Sequence, residues 1–321
     1  MNGAIKVSVI MIAYNQEDYI ARAIESVLAQ KVPFDYELLI GDDASTDGTA
    51  QTIRQYEEKY PDRIKACFRH ENIGASANAV DLLLQSRGEY LAFCEGDDFW
   101  IDTEKLARQV SFLEKNPVYI GCAHSCLVVN EREEVLPKQR VSWLKPGKRV
   151  FTFRDFSGGR FLPGQTSTVV KRNLFLHAND DMIGMMMCDH SISDRISNLI
   201  YLLQGNFYCF PECYGAYRCV EQPSSITARK YRDNPDACLA ELSMTERMET
   251  YASNRLGRKI RFVRKRSEIL TVAFAYWLLK RNDECKRVLK TVFSQMTCSE
   301  IVLIPFAILK KLKDQFLCVQ H

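Results

Sequence analysis

The sequence predicts an α/β fold: a mostly parallel central sheet flanked by helices, with a helical extension toward the C-terminus. Three observations point there. Short β-branched apolar runs alternate with helix-period segments through the first hundred residues, polar loops close three of those runs, and beyond Pro235 the pattern is helical. At 321 residues, 46% hydrophobic and 26% charged, the chain can bury one large core or two smaller ones, which excludes a disordered or coiled-coil protein.

The run VSVIMI (7–12) is apolar and β-branched, as a strand buried on both faces must be. After it Asn15 can cap a helix, with Asp18 at the third helical position and Ile20, Ala23, Ile24, Val27 and Leu28 at helical spacing. YELLI (36–40) is the second strand, and DDASTDGT leads into a helix that Pro61 stops. IKACF (64–68), a turn at 72–74, a helix through Leu84 and the strand YLAFC (90–94) continue the alternation. Strand followed by helix, repeated, is the signature of right-handed crossovers and a parallel sheet. A further helix runs from Lys105 to Leu113 before Pro117, and a strand begins near Ile120. The stretch 128–164 is polar and punctuated by Gly and Pro, TSTVVKR (166–172) reads as a strand, and 192–203 reads as a helix. Helical periodicity then covers 237–256, 269–280, 284–296 and 301–316.

A formal charge of +3 is too small to argue for a nucleic-acid binder. The total hides an asymmetry: residues 1–228 carry 24 basic and 30 acidic side chains, and residues 229–321 carry 19 basic and 10 acidic. The 12 cysteines are few for this length and lack CxxC spacing, so reduced, mostly buried thiols and a reducing cytoplasm are expected. The segment 7–14 follows a single Lys and has no small-residue cleavage site, so it reads as a strand rather than a signal peptide. The apolar runs 269–279 and 301–309 fall short of the roughly 20 residues a membrane-spanning helix requires.

In parallel sheets ligands gather beyond the carboxyl ends of the strands, so AYNQED, GDDASTDG and EGDDFW are the segments to read for chemistry. None carries GxGxxG or a Walker loop, which removes most support for a nicotinamide or flavin domain. Glu95, Asp97 and Asp98 place three carboxylates within four positions after a buried strand. Like charges that close repel, and oxygen-only ligands suit Mg²⁺ or Mn²⁺ bridged to a diphosphate; capping of the next helix is the plainer alternative. Asp42 and Asp43 likewise end a strand, where a carboxylate can cap the following helix or accept hydrogen bonds from a nucleobase or ribose.

The runs SVIMIAYNQEDYIARAIESVLAQ, ELLIGDDASTDGT, RHENIGASANA and GEYLAFCEGDDFW, followed by KLARQVSFLEKNP, resemble a bacterial family 2 glycosyltransferase with the GT-A fold. The resemblance is strong over about 125 residues and weaker to about Thr227. It implies that Ala13, Tyr14 and Asn15 line the nucleotide pocket, that Asp43 hydrogen-bonds the uracil, that Asp98 ligates Mn²⁺ or Mg²⁺, and that Asp97 contacts the sugar nucleotide near its ribose. Glu95 stands where many members have Asp.

Inverting members use an Asp in the second half of the fold as general base, and the match here is Asp189 in MMMCDHSISDR, with Asp194, Asp180 and Asp181 as rival carboxylates. GAYRCVEQPSSIT resembles the family's tyrosine-arginine segment, which makes Arg218 a candidate phosphate contact or a structural ion pair; Val220 stands where relatives frequently have His.

The implied organisation is a catalytic domain over 1–228, with a nucleotide-binding half (1–100) and an acceptor half (101–228), and a basic helical extension over 229–321. The implied activity is metal-dependent, inverting transfer from a nucleoside-diphosphate sugar, a UDP-sugar, to a saccharide or lipid-linked saccharide in cell-surface polysaccharide biosynthesis. A sugar-phosphate nucleotidyltransferase and a catalytically weak binding subunit of an assembly complex are the alternatives. Arg255, Arg258, Lys259, Arg261, Arg264, Lys265 and Arg266 form a dense positive stretch, with Lys310, Lys311 and Lys313 further on. These cations suit either peripheral contact with the inner face of the cytoplasmic membrane or a solvated face packed on the protein.

Overall fold

In the computed structural model, the residues described are 4–141, 147–188, 193–219 and 235–263, together with 266, 269, 270, 286, 289, 290, 293, 301 and 302. The chain divides into two compact units, Met1–Phe153 with Phe161–Val220, and Arg154–Arg160 with Glu221–His321.

The first unit is built on β1 (Val7–Ala13), an apolar strand in which every residue but one is buried. It pairs in parallel with β2 (Tyr36–Asp42) on one side and β4 (Tyr90–Phe93) on the other, and β2 pairs in parallel with β3 (Ile64–Phe68). The connections are α1 (Ile20–Leu28), α2 (Thr49–Lys59) and α3 (Ala75–Gln85). The register aligns Ala13 with Asp42 at the carboxyl ends of β1 and β2. Past the end of β4, Cys94 and Gly96 donate their N–H groups to the carbonyls of Ile10 and Ile12, so the acidic segment begins alongside β1. Val9, Met11, Ile20, Ile24, Val27, Leu38, Ile40 and Leu106 form the heart of the core. Complete burial of each such aliphatic side chain contributes about 1.5–3 kcal/mol relative to exposure.

The second half of the sheet is mixed. After β5 (Phe99–Trp100) and α4 (Lys105–Lys115) comes the long β6 (Tyr119–Val129), which forms a hairpin with β7 (Val135–Val141). The remaining elements are β8 (Val150–Phe151), α5 (Phe153–Ser157), which past Phe153 belongs to the second unit, β9 (Val170–Arg172), α6 (Asp180–Met186), α7 (Ser193–Leu202) and β10 (Asn206–Arg218). The strand order is β3-β2-β1-β4-β9-β6-β10-β5, with β7 on β6 and β8 on β10. β9 runs antiparallel to both β4 and β6, and so joins the two halves. The far end of β10 pairs antiparallel with β5, Gly215 with Trp100 and Ala216 with Phe99, which carries Arg218 to the acidic segment.

Two sequence expectations change. TSTVVKR is not one strand: Thr166–Thr168 is a 3₁₀ turn and only Val170–Arg172 is extended, because the N–H groups of Thr168 and Val169 return to the carbonyls of Gln165 and Thr166. The stretch 128–164 holds the end of β6, the strands β7 and β8, and α5.

In the second unit, α8 (Pro235–Leu256) buries Leu242, Met248, Tyr251 and Ala252. Glu249 on this helix accepts hydrogen bonds from the guanidinium of Arg266 and from the backbone N–H of Phe262. Arg266 is buried in that ion pair, whereas Arg255, Arg258 and Lys259 are exposed. Arg264, Lys265, Lys310, Lys311 and Lys313 lie outside the described residues. No described helix is long and apolar enough to cross a membrane.

Candidate active site

The acidic segment is a tight turn. The N–H of Asp98 donates to the carbonyl of Glu95 at 3.0 Å, so four residues fold back on themselves. Gly96 at its second position lets the turn pack closely on α1: a Cβ there would lie 2.3 Å from Gln16 Oε1 and 3.0 Å from Ile20 Cδ1, so those side-chain ends would have to move aside. The turn gathers one carboxylate oxygen each from Glu95, Asp97 and Asp98 to within 4.8 Å of one another. Asp98 is buried, and Glu95 and Asp97 are half-buried.

Burial drives all three carboxyl pKa values upward. At Glu95 the charges of Asp98, Asp97 and Asp194 add to the effect, and at Asp98 that of Asp97 does. Burial and the charges of Asp98, Glu95 and Asp97 also raise the phenol of Tyr217 to about 12. A cluster that resists ionising for want of positive charge is matched to a hard cation with oxygen ligands. Neither Asp97 nor Asp98 caps α4: that helix starts at Lys105, and the backbone N–H of Glu104 is taken by Asp102.

Two residues distant in the chain hold the turn, one from the 3₁₀ turn Thr166–Thr168 and one from the end of β10. Arg218 donates its backbone N–H to Asp98 Oδ1 at 3.0 Å, and Ser167 donates its hydroxyl to Asp98 Oδ2 at 2.6 Å. The Arg218 guanidinium is itself buried and directed at protein. Its Nε donates to the Asp97 carbonyl, NH1 to the carbonyls of Asn130 and Glu131, and NH2 to Glu133 Oε1. It also lies 4.6 Å from the Tyr19 ring centroid. The sequence allowed a phosphate contact or a structural ion pair, and this geometry favours the structural role.

The nucleotide-side loops lie at the ends of β1 and β2. Ala13 is buried, and Tyr14 leaves 47% of its surface exposed. Asn15 does not cap α1, which starts at Ile20. It sits at φ 52°, a left-handed conformation that Asn tolerates, and its Oδ1 accepts the Thr46 N–H while its own N–H reaches Ser45 Oγ. Asp43 is buried and turned toward the next crossover, its two oxygens accepting the N–H groups of Ile73 and Gly74 at 2.8 and 3.0 Å. Asp42 accepts from the Ser45 N–H through Oδ2, and its buried Oδ1 has no hydrogen-bond partner among the described residues.

Asp189 and Val220 lie outside the described residues. Asp194, a rival carboxylate in the same stretch, stands in the first turn of α7, where its charge acts on Glu95 and on the buried Lys171. Ser167 and Glu133 were not singled out from the sequence. Each acts through a partner far away in the chain, and no local spacing marks them.

The model of glycosyl transferase family 2 matches residues 8–200, more than half of the chain and the whole stretch from β1 through most of α7. The chain belongs to that family. Among its relatives, the uncharacterized protein Rv1520 of Mycobacterium tuberculosis is 45% identical over 124 residues, covering 39% of this chain and 36% of that one. The uncharacterized glycosyltransferase alr2836 of Nostoc is 36% identical over 132 residues, covering 41% and 39%. WfaP of Escherichia coli, a UDP-Glc:alpha-D-GlcNAc-diphosphoundecaprenol beta-1,3-glucosyltransferase, is 35% identical over 116 residues, covering 36% and 44%. The matched stretches thus span less than half of each relative. In three dimensions the chain is similar to S. aureus TarS 1-349 solved with UDP-GlcNAc, at a TM-score of 0.62 and 21% identity, covering 90% of this chain and 79% of that one. Membership of glycosyl transferase family 2 and the likeness to TarS together give the chain the GT-A fold.

Proposed function

We propose that this glycosyltransferase moves a sugar from a UDP-sugar to a saccharide or lipid-linked saccharide acceptor with inversion, in the building of a surface polysaccharide. The convergence of Glu95, Asp97 and Asp98 at the carboxyl edge of the sheet, beside the loops of Ala13, Tyr14, Asn15 and Asp43, carries this reading. The UDP-Glc in the name of WfaP and the UDP-GlcNAc bound to TarS support a uridine donor.

The donor set fits a divalent cation, Mn²⁺ or Mg²⁺, which Asp98 would ligate with Glu95 and Asp97 beside it. When bound, such an ion supplies positive charge against the diphosphate as the bond to the anomeric carbon breaks. The chain's own residues do the rest. Asp43 and the 13–15 segment receive the nucleoside, with Tyr14 offering an exposed ring at the entrance. Arg218 keeps the acidic turn in place through the Asp97 carbonyl and the Asp98 carboxylate.

The acceptor hydroxyl loses its proton to a carboxylate of the 189–194 segment. Asp189 is the residue the resemblance chooses. Asp194 is its rival among the described residues, since its charge bears on Glu95. Membrane contact through the exposed Arg255, Arg258 and Lys259 is a further part of the proposal, checked by sedimentation with anionic liposomes.

The decisive experiment is a panel of sugar nucleotides screened for hydrolysis with Mn²⁺ and with EDTA. The expected result is metal-dependent release of UDP from one UDP-sugar, abolished by Asp98→Asn. No response to any UDP-sugar would overturn the donor, and equal turnover in EDTA would overturn the metal.

A further inference from the structure

Ser167 holds both ends of the acidic turn with one hydroxyl. Its Oγ accepts the backbone N–H of Glu95 at 3.0 Å and donates to Asp98 Oδ2 at 2.6 Å. The Glu95 N–H can only donate, so the hydroxyl accepts there and has its one proton to give to Asp98, whose carboxylate accepts it in the ionised form that would hold a cation. Glu95 opens the turn and Asp98 closes it, joined by their own backbone hydrogen bond. The hydroxyl therefore bridges the first and last residues of the metal-site turn from outside it.

Ser167 is itself immobilised. It is buried in the 3₁₀ turn Thr166–Thr168, and its carbonyl accepts Trp100 Nε1–H at 2.9 Å. The Trp100 backbone N–H is held in turn by Ser26 Oγ at 3.0 Å. On the other side the Thr168 carbonyl accepts Gln109 Nε2–H at 3.0 Å, and Thr168 Oγ1 donates to the Gln165 carbonyl. With the backbone pinned on both sides, the hydroxyl has a defined origin 69 residues along the chain from the carboxylate it orients.

We infer that Ser167 is a positioning residue for the cation site, setting the rotamer of Asp98 and the path of the Glu95 backbone so that the three carboxylates converge. The inference rests on the reading of that cluster as a cation site. Removal of the hydroxyl leaves one oxygen of Asp98 without its donor and the Glu95 N–H without its acceptor, so that only the backbone hydrogen bond from Asp98 N–H to the Glu95 carbonyl still joins the two ends. A merely structural serine would lower stability and leave metal affinity alone.

The test measures Mn²⁺ binding by electron paramagnetic resonance of free Mn²⁺, with UDP present, alongside thermal unfolding without metal. Ser167→Ala is expected to weaken Mn²⁺ binding about tenfold, the lower end of what loss of a ligand-orienting partner costs, with metal-free unfolding within a few degrees of the unaltered chain. Ser167→Thr keeps the hydroxyl and should hold affinity within about threefold. Should Ser167→Ala fail to fold, Ser167→Cys preserves the volume with a poor donor and should show the same tenfold loss. Unchanged affinity in Ser167→Ala or Ser167→Cys, or equal losses in Ser167→Thr and Ser167→Ala, would overturn the positioning role. No Mn²⁺ binding by the unaltered chain would overturn the cation site and this inference together; binding by the unaltered chain that Ser167→Ala leaves untouched would overturn this inference alone.

Discussion

The side chain of Arg218 donates to the main-chain carbonyl of Asp97 at 3.0 Å, so a buried guanidinium holds the backbone of the acidic turn rather than reaching outward. Its other donors fix the turn at Asn130, Glu131 and Glu133, which ties the β6–β7 connection to the same point. Lysine offers a point charge and cannot reproduce this fan of bonds. Arg218→Lys is therefore expected to lower the melting temperature by several degrees and transfer by at least about 30-fold, as buried carbonyls lose their donors. A phosphate-binding role predicts the opposite split, with weaker UDP affinity and unchanged melting. Calorimetric UDP titration beside thermal unfolding decides between them.

Asp43 has two duties in this structure, since the oxygens offered to a nucleobase also hold the N–H groups of Ile73 and Gly74. Asparagine keeps one acceptor and presents an amide donor to the other N–H, leaving a buried clash of donors. Asp43→Asn should cost about 1–3 kcal/mol of stability, the usual penalty for an unsatisfied buried group, in addition to weakening UDP binding. Chemical denaturation without ligand isolates the first effect. Unaltered stability would mean that the turn before α3 does not depend on this carboxylate.

The parallel half of the fold was legible because its strands are continuous apolar runs and its loops are compositionally sharp: Val7–Ala13 and Tyr36–Asp42 could hardly be anything else. The second half resisted. Phe99–Trp100 and Val150–Phe151 are strands of two residues, too short for any period, and they exist only because β10 runs beside them. The carboxylates of the candidate site were visible for the same reason as the first strands, being local in sequence. Their supports were not, since Ser167 and Arg218 reach Asp98 across 69 and 120 residues. Asn15 shows a subtler limit: its side chain suited a helix cap, but the neighbouring loop offered the Thr46 N–H, and the helix began later without it.

The proton acceptor can be located by comparing two neutralised carboxamides. Asp189→Asn, at the residue the resemblance chooses, should reduce turnover at least about 100-fold, the scale of general-base catalysis, with UDP affinity held within about threefold. Asp194→Asn removes the charge that acts on Glu95 and should retain most turnover. The reverse pattern would move the base to Asp194, and full turnover in both would remove the segment from the chemistry.

Lys105 supplies a pH test of the core behind the site. Its side chain is fully buried over the Trp100 ring at 4.1 Å, its Nζ has no hydrogen-bond partner among the described residues, and burial lowers its pKa to about 7. The groups that bear on it are the thiols of Cys94 and Cys122, which would favour the cation only as thiolates, while burial holds both thiol pKa values high. His124, whose pKa burial and Lys105 push well below the usual value, adds no opposing charge. In the unfolded chain the amine titrates near 10.5. Between pH 7 and 10.5 the unfolded state thus holds a proton that the folded state has released, so this residue makes stability rise with pH across that window. Below pH 7 the folded protein must bury an unpaired ammonium, and the penalty is at its full value. Lys105→Met removes the charge while keeping a similar volume. It should melt several degrees above the unaltered chain at pH 6, with the gap closing as pH approaches 10. A gap that stays constant from pH 6 to 10 would show that Lys105 does not titrate inside the core.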